Sequence, residues 1–162
     1  MCYNKLGDEM KKDIKEIYIF AVIFFVVDQI IKIFLSSKMI VNQSFILIKN
    51  LLSITLVHNK GAAFSILNGS RFLLIIIALL VLAVLVIYIK KQDVIDYIDA
   101  FAYSLLIGGT LGNLFDRIIH GYVIDYLSLS FGDYYFPIFN FADICIVGAV
   151  IIMLIKMVKE SL

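Results

Sequence analysis

The chain is expected to fold as an all-α integral membrane protein, with four transmembrane helices, a small extracytoplasmic β-sheet or cradle and a second outer loop. Three observations predict this class. Apolar residues make up 62% of the 162 residues, with one proline, and the mean hydropathy is +1.01, well above a soluble domain, where about half the residues are apolar. Four segments each come close to the roughly 20 apolar residues that a bilayer core about 30 Å thick requires. Lysine clusters lie beyond alternate ends of those segments, as the positive-inside rule expects.

The first span is read over residues 17–35 and follows Lys5, Lys11, Lys12 and Lys15. It is long, lacks a small-residue cleavage site and precedes further spans, so it is expected to be retained rather than removed as a signal peptide. The outer loop 36–71 holds "SFILIKNLLSITLV", rich in β-branched residues and divided by "KN", which predicts a hairpin or small sheet. It ends in "HNKGAAFS", whose small residues allow close backbone approach. The second span covers residues 72–89 and leads to Lys90 and Lys91. The third, residues 97–115, carries Gly108, Gly109 and Gly112, spaced to meet a neighbouring helix closely. The second outer loop, 116–137, is aromatic and glycine-punctuated, suited to the headgroup layer. The fourth span covers residues 138–157 and ends near Lys156 and Lys159.

An even number of spans puts the lysine clusters on one side, the cytoplasmic one, with both termini. Lys38, Lys49, Lys60, Arg71 and Arg117 are spread over the opposite face. No repeat or linker divides residues 1–162, so a single membrane-embedded domain is expected. The net charge of +1 names no partner; neither nucleic acid nor a second copy is expected to bind. Cys2 and Cys145 fall on opposite sides of the membrane and imply no disulfide or zinc framework. Cys2, with no apolar run before it, is not expected to be lipidated.

Polar residues inside the apolar spans carry the chemistry. Asp28 and Lys32 lie well within the first span at i, i+4 spacing, where they can neutralise each other. Burying either alone costs about 2.5–3.5 kcal/mol at mid-membrane, so they read as a structural pair with Lys32 snorkelling outward or as substrate contacts. Asn113, Asp116 and Arg117 end the third span. The adjacent acid and base suggest an interface charge pair, and the arginine can donate to a peptide carbonyl or lipid phosphate. His58 and His120 lack metal-ligand spacing.

Asp125 and Asp143 form the sharper case. By topology Asp125 lies in the outer loop, and Asp143 one or two turns into the fourth span from the same surface, so the two can meet at one depth. Asn140, three residues before Asp143, is read on the same helical face, able to orient substrate or a carboxylate. Two close carboxylates in a low-dielectric site share a proton, the state aspartyl proteolysis uses. The residues alone leave three readings open: an aspartyl dyad, a proton or ion relay in a small transporter, or carboxylate ligands for Mg²⁺ in a phosphotransferase. Transport is weakened by the clustering of polar groups at the outer face, and metal binding by the few acids gathered there.

The blocks "VDQIIK", "HNKGAAFS", "GNLFDRIIHGYVIDY" and "FNFAD" resemble the lipoprotein signal peptidase (signal peptidase II) family, in order and spacing, over nearly the whole chain. The resemblance implies an aspartyl endopeptidase of the bacterial inner or plasma membrane, with its site at the outer face. It would cut diacylglyceryl-modified prolipoproteins just before the lipidated cysteine. It carries the catalytic pair onto Asp125 and Asp143. Asn59, Gly61, Asn113, Arg117 and Asn140 fall on positions that line the substrate site, and Asp28, Lys32 and Asp116 on supporting ones. It implies membrane lipid and globomycin-type inhibitors as partners, and no metal or organic cofactor. Tyr126, where the family more often has phenylalanine, and the "IC" after Asp143, where the family more often has a small residue, affect subsite shape without removing a proton-carrying group.

Overall fold

The computed structural model describes residues 14–61, 70–132 and 134–161. Cys2, Lys5, Lys11 and Lys12, and residues 62–65 of the small-residue stretch, lie outside them. The described residues form four helices, α1 (Ile14–Lys38), α2 (Arg71–Lys90), α3 (Tyr97–Ile119) and α4 (Phe141–Glu160). Four strands accompany them: β1 (Ser44–Ile48), β2 (Leu52–Asn59), β3 (Val123–Phe131) and β4 (Tyr134–Tyr135).

Each helix is long and apolar enough to cross a membrane, since 20 residues at 1.5 Å rise span about 30 Å. Large apolar side chains point outward along α1 (Ile19, Ile23, Ile30), α2 (Phe72, Ile76, Val84) and α4 (Val147, Ile151, Leu154), which suits a lipid solvent. Among the four, α3 alone is mostly buried, and it is the least hydrophobic. It occupies the centre, packed against α1, α2 and α4. Its glycines allow this, and they meet two neighbours rather than one. A Cβ on Gly108 would lie 2.6 Å from the Ala21 carbonyl oxygen of α1, and one on Gly109 would lie 2.5 Å from that of Ala142 in α4.

Helix limits depart from the apolar spans for local reasons. α1 extends past the predicted span at both ends. α4 starts at Phe141, so Ile138 and Phe139 precede it. The start is set by a capping box: Asn140 Oδ1 accepts the Asp143 N–H at 2.9 Å, and the Asp143 carboxylate accepts the Asn140 N–H at 3.1 Å. Asn140 is therefore the extended N-cap and not a residue on the helical face of Asp143, and Asp143 sits in the first turn.

The strands form one antiparallel sheet in the order β1-β2-β3-β4. The predicted hairpin is β1–β2, turning at Asn50, which takes the left-handed conformation (φ 59°) that asparagine tolerates. The second outer loop is less loop-like than its composition suggests, because most of it pairs: Val57 opposes Asp125, and Asn59 opposes Val123. A bulge in β2 between Ile54 and Val57 lies beside these pairs, the kind of irregularity that re-aims side chains near functional sites. After the turn at Gly132 (φ 62°) the chain folds back. Leu127 and Phe139 exchange backbone hydrogen bonds of 2.7 and 3.0 Å, which carries residue 140 back to the start of β3.

Candidate active site

Three structural elements converge where α3 ends. β3 brings Asp125, the cap of α4 brings Asn140 and Asp143, and α3 contributes Asn113 and Arg117. They border a cavity of about 990 Å³ whose other walls include Val57, Phe139, Ile144, Val147 and Ile151. The site is thus polar at one end and apolar along α4.

Asn140 joins the two carboxylates. Its Nδ2 donates to Asp125 Oδ1 at 2.7 Å, while its backbone N–H donates to Asp143 Oδ2 at 3.1 Å. Asn59 Nδ2 donates to the other oxygen of Asp125 at 2.8 Å, and Asn113 Nδ2 to Asp143 Oδ1 at 2.7 Å. Asp125 is only 2% exposed. Burial, and then the nearby Asp143 charge, push its carboxyl up to about 7, against the opposing amide donors. A group so placed titrates near neutral pH, which is what acid–base chemistry requires.

Around this pair the predicted residues separate into two groups. Asn59, Gly61, Asn113, Arg117, Asp125 and Asp143 all line the cavity, and Asn140 lies buried behind it. Arg117 donates to the Gly61 carbonyl at 3.1 Å and to its own helix at the Asn113 carbonyl, 3.3 Å. Asp28, Lys32 and Asp116 sit behind the cavity, each 0% exposed.

One expected pairing is replaced by another, and the expected Asp28–Lys32 pair forms without turning its lysine outward. Asp116 does not pair with its neighbour Arg117; it meets Lys32 at 2.8 Å. Consecutive residues on a helix point about 100° apart, so one faces the core while the other faces the cavity. Lys32 likewise does not snorkel. It is held inside between Asp28 (2.8 Å) and Asp116 (2.8 Å) and also donates to Asn113 Oδ1 at 3.2 Å. With two carboxylates and an amide within reach, the ammonium keeps its solvation without leaving the protein.

Sequence reasoning passed over Gln29, whose Nε2 donates to Asp28 Oδ2 and Asp116 Oδ1, both at 3.1 Å. A second polar side chain beside Asp28 in an apolar span was the available signal. Tyr126, read from the sequence only as a matter of subsite shape, also has a structural contact: its hydroxyl accepts the Phe141 N–H at 3.1 Å and braces the start of α4. His58 and His120, distant in sequence, flank the Tyr122 ring at 3.8 and 5.8 Å. Burial, with His120 and Lys60 nearby, pushes the His58 imidazole down, towards its neutral form.

Over residues 20–159 the chain matches the family described as Signal peptidase (SPase) II. It is 39% identical over 137 residues to the lipoprotein signal peptidase of Clostridium acetobutylicum, covering 83% of this chain and 89% of that one. With the lipoprotein signal peptidase of Halothermothrix orenii it shares 40% over 146 residues, covering 90% and 97%. A solved structure described as a bacterial membrane enzyme superposes with a TM-score of 0.86 at 34% identity, covering 93% of this chain and 92% of the other. A second gives 0.83 at 35% identity, covering 93% and 97%. Matched across most of its length and sharing its fold with bacterial membrane enzymes, this chain belongs to the signal peptidase II family.

Proposed function

We propose that this multi-pass membrane peptidase removes the signal peptide of prolipoproteins by aspartyl chemistry at Asp125 and Asp143. The bond cut would lie just before a diacylglyceryl-modified cysteine. The observation that carries the reading is the meeting of two carboxylates, one from β3 and one from the first turn of α4, at a single buried asparagine behind an apolar-walled cavity that both carboxylates line. The family match supports the peptidase and its prolipoprotein substrates, and nothing in it favours the transporter or phosphotransferase readings.

The chemistry follows from one proton shared by two carboxyls. The ionised member takes a proton from water as the water oxygen attacks the scissile carbonyl. The neutral member gives its hydrogen bond to the carbonyl oxygen as charge develops there. Collapse of the tetrahedral intermediate breaks the C–N bond, and a proton from the dyad goes to the leaving nitrogen. With the Asp125 carboxyl near 7 beside a second carboxylate, one proton remains on the pair at neutral pH. Arg117 and Asn59 are the side chains offered to the peptide backbone, and Ile144, Val147 and Ile151 the wall offered to acyl chains.

A lipidated cysteine is anchored at the membrane surface by its diacylglycerol. A dyad at the end of α4 meets the neighbouring peptide bond without drawing the lipid out. The lysine clusters support an orientation with both termini cytoplasmic and the dyad at the outer face. The dyad supplies both acid and base, so no cofactor enters the reaction, and a monomer contains every residue it uses.

The test is cleavage of a diacylglyceryl-modified lipobox peptide by the purified chain in detergent, with and without globomycin and with EDTA. Wild-type protein should cleave, be blocked by globomycin and be indifferent to EDTA. Asp125→Asn and Asp143→Asn should each remain folded and lose at least about a thousandfold in rate, consistent with losing a group that both positions and transfers a proton. Near wild-type cleavage by either variant would remove the dyad assignment.

A further inference from the structure

The ammonium group of Lys32 has three protons and no lone pair. All three have acceptors: Asp28 Oδ2 and Asp116 Oδ2, each at 2.8 Å, and Asn113 Oδ1 at 3.2 Å. The two acids have further donors of their own. Ala142 N–H and Gln29 Nε2 reach Asp28 at 3.0 and 3.1 Å. Ile124 N–H and the same Gln29 amide reach Asp116, both at 3.1 Å.

The third proton of Lys32 has a consequence at the dyad, because a carboxamide has two unlike ends. Lysine only donates, so Asn113 must turn its oxygen to Lys32. Its nitrogen then faces Asp143 Oδ1 at 2.7 Å. Asn140 enforces the same orientation. Its oxygen is occupied by the Asp143 N–H at the helix cap, leaving its Nδ2 to donate to Asn113 Oδ1 at 3.0 Å and Asp125 Oδ1 at 2.7 Å.

We infer that Lys32 is a positioning residue for the dyad, locking the Asn113 carboxamide so that its N–H, and not its oxygen, faces Asp143. The inference rests on the aspartyl reading above. Without the ammonium, the Asn140 amide, which Asn113 shares with Asp125, is all that holds this orientation. Asn113 can then present its oxygen to Asp143, an arrangement that favours a second proton on the dyad and removes its base. Charged and titratable groups surround this centre on every side. They are Asp28 and Lys32 from α1, Asp116 and Arg117 from α3, His58 and Lys60 by β2, Asp125 and Tyr126 from β3, and Cys145 from α4. Apart from Asp143 itself, Lys32 is the one of these that hydrogen-bonds the Asn113 side chain.

Lys32→Met alone would leave two buried carboxylates facing each other, so it is measured in an Asp28→Asn/Asp116→Asn background, with folding read by thermal melts and globomycin binding. Relative to that background, kcat on the lipidated peptide should fall about ten- to a hundredfold, the effect of one charge-assisted hydrogen bond. KM should stay within about twofold, and the acid limb of the rate profile should move up by about one pH unit. With Asn113→Ala already present, Lys32→Met should cost no more than about twofold, because no amide remains to orient. An unmoved acid limb, or a loss that multiplies with that of Asn113→Ala, would reduce Lys32 to support of the fold and overturn the inference. Asp125→Asn in the same assay separates the two readings. If it cleaves, the aspartyl assignment fails; if it is inactive while Lys32→Met behaves as its background, only the positioning role fails.

Discussion

Asp125 lies on a strand at the end of the helical bundle yet is almost wholly buried, and its pH behaviour follows from that environment. Burial and the Asp143 charge push its carboxyl up to about 7, so the singly protonated dyad persists to about neutral pH and is lost above it. We therefore expect kcat/KM to fall about tenfold per pH unit above about 7; a profile still rising towards pH 9 would contradict this. Stability has the matching sign. The folded-state value lies above the unfolded one of about 3.8. The stabilisation associated with the protonated carboxyl is complete below about pH 4 and is lost as pH rises through about 7. Asp125→Asn should thus be more stable than the wild type at pH 8, by on the order of a few kcal/mol and read as a higher melting temperature, with the gap closing towards pH 4. At this scale both aspartates were legible as candidates, since ionisable residues in or beside apolar spans are conspicuous. The Asp28–Lys32 pair was legible too, from its i, i+4 spacing, but the partner of Asp116 was not, because chain adjacency says nothing about which way a helical side chain points.

At the scale of elements, α3 governs the geometry of the site. Gly109 lets α4 approach so closely that an added Cβ would lie 2.5 Å from the Ala142 carbonyl oxygen. Backbone cannot move aside as a flexible side chain can. Gly109→Ala should therefore cost about 1–3 kcal/mol, read as a lower melting temperature in detergent. Peptide cleavage should fall with it, because α4 carries Asp143 in its first turn. An unchanged melting temperature would show that α3 and α4 have more freedom than this contact implies. The glycines announced close helix packing in the sequence, and the "KN" turn announced the β1–β2 hairpin. β3 was hidden, because "YVIDYLSLS" reads equally as an aromatic interfacial loop until β2 is available to pair with it. The start of α4 was hidden too. Hydropathy continues smoothly from Ile138 into the helix, whereas its true beginning depends on a hydrogen-bonded cap.

For the whole molecule, the central question is how the bundle lies in the membrane. The site and the sheet occupy one end. At the other, Lys156 reaches Asp96 at 2.5 Å, bonds Asp99 as well, and ties α4 to the start of α3. Lysine clusters at that end support its being cytoplasmic. A cysteine at Lys49, in the hairpin turn, should react with an impermeant maleimide in intact cells, and one at Lys91 only after permeabilisation, both in a cysteine-free background. The reverse pattern would invert the proposed orientation. Hydropathy by itself determined that the chain is a membrane protein with four long apolar segments, which are the four helices of the described residues, because a lipid solvent demands long apolar segments with internally satisfied backbone. Its misplaced polar residues determined which side chains deserved suspicion. Only the tertiary structure decided how they associate: Lys32 between two acids, Asn113 turned towards Asp143, and Asn140 spanning from a helix cap to a strand. Hydrogen bonds of about 3 Å depend on the packing of helices and strands distant in sequence, and no local pattern along the chain encodes that register.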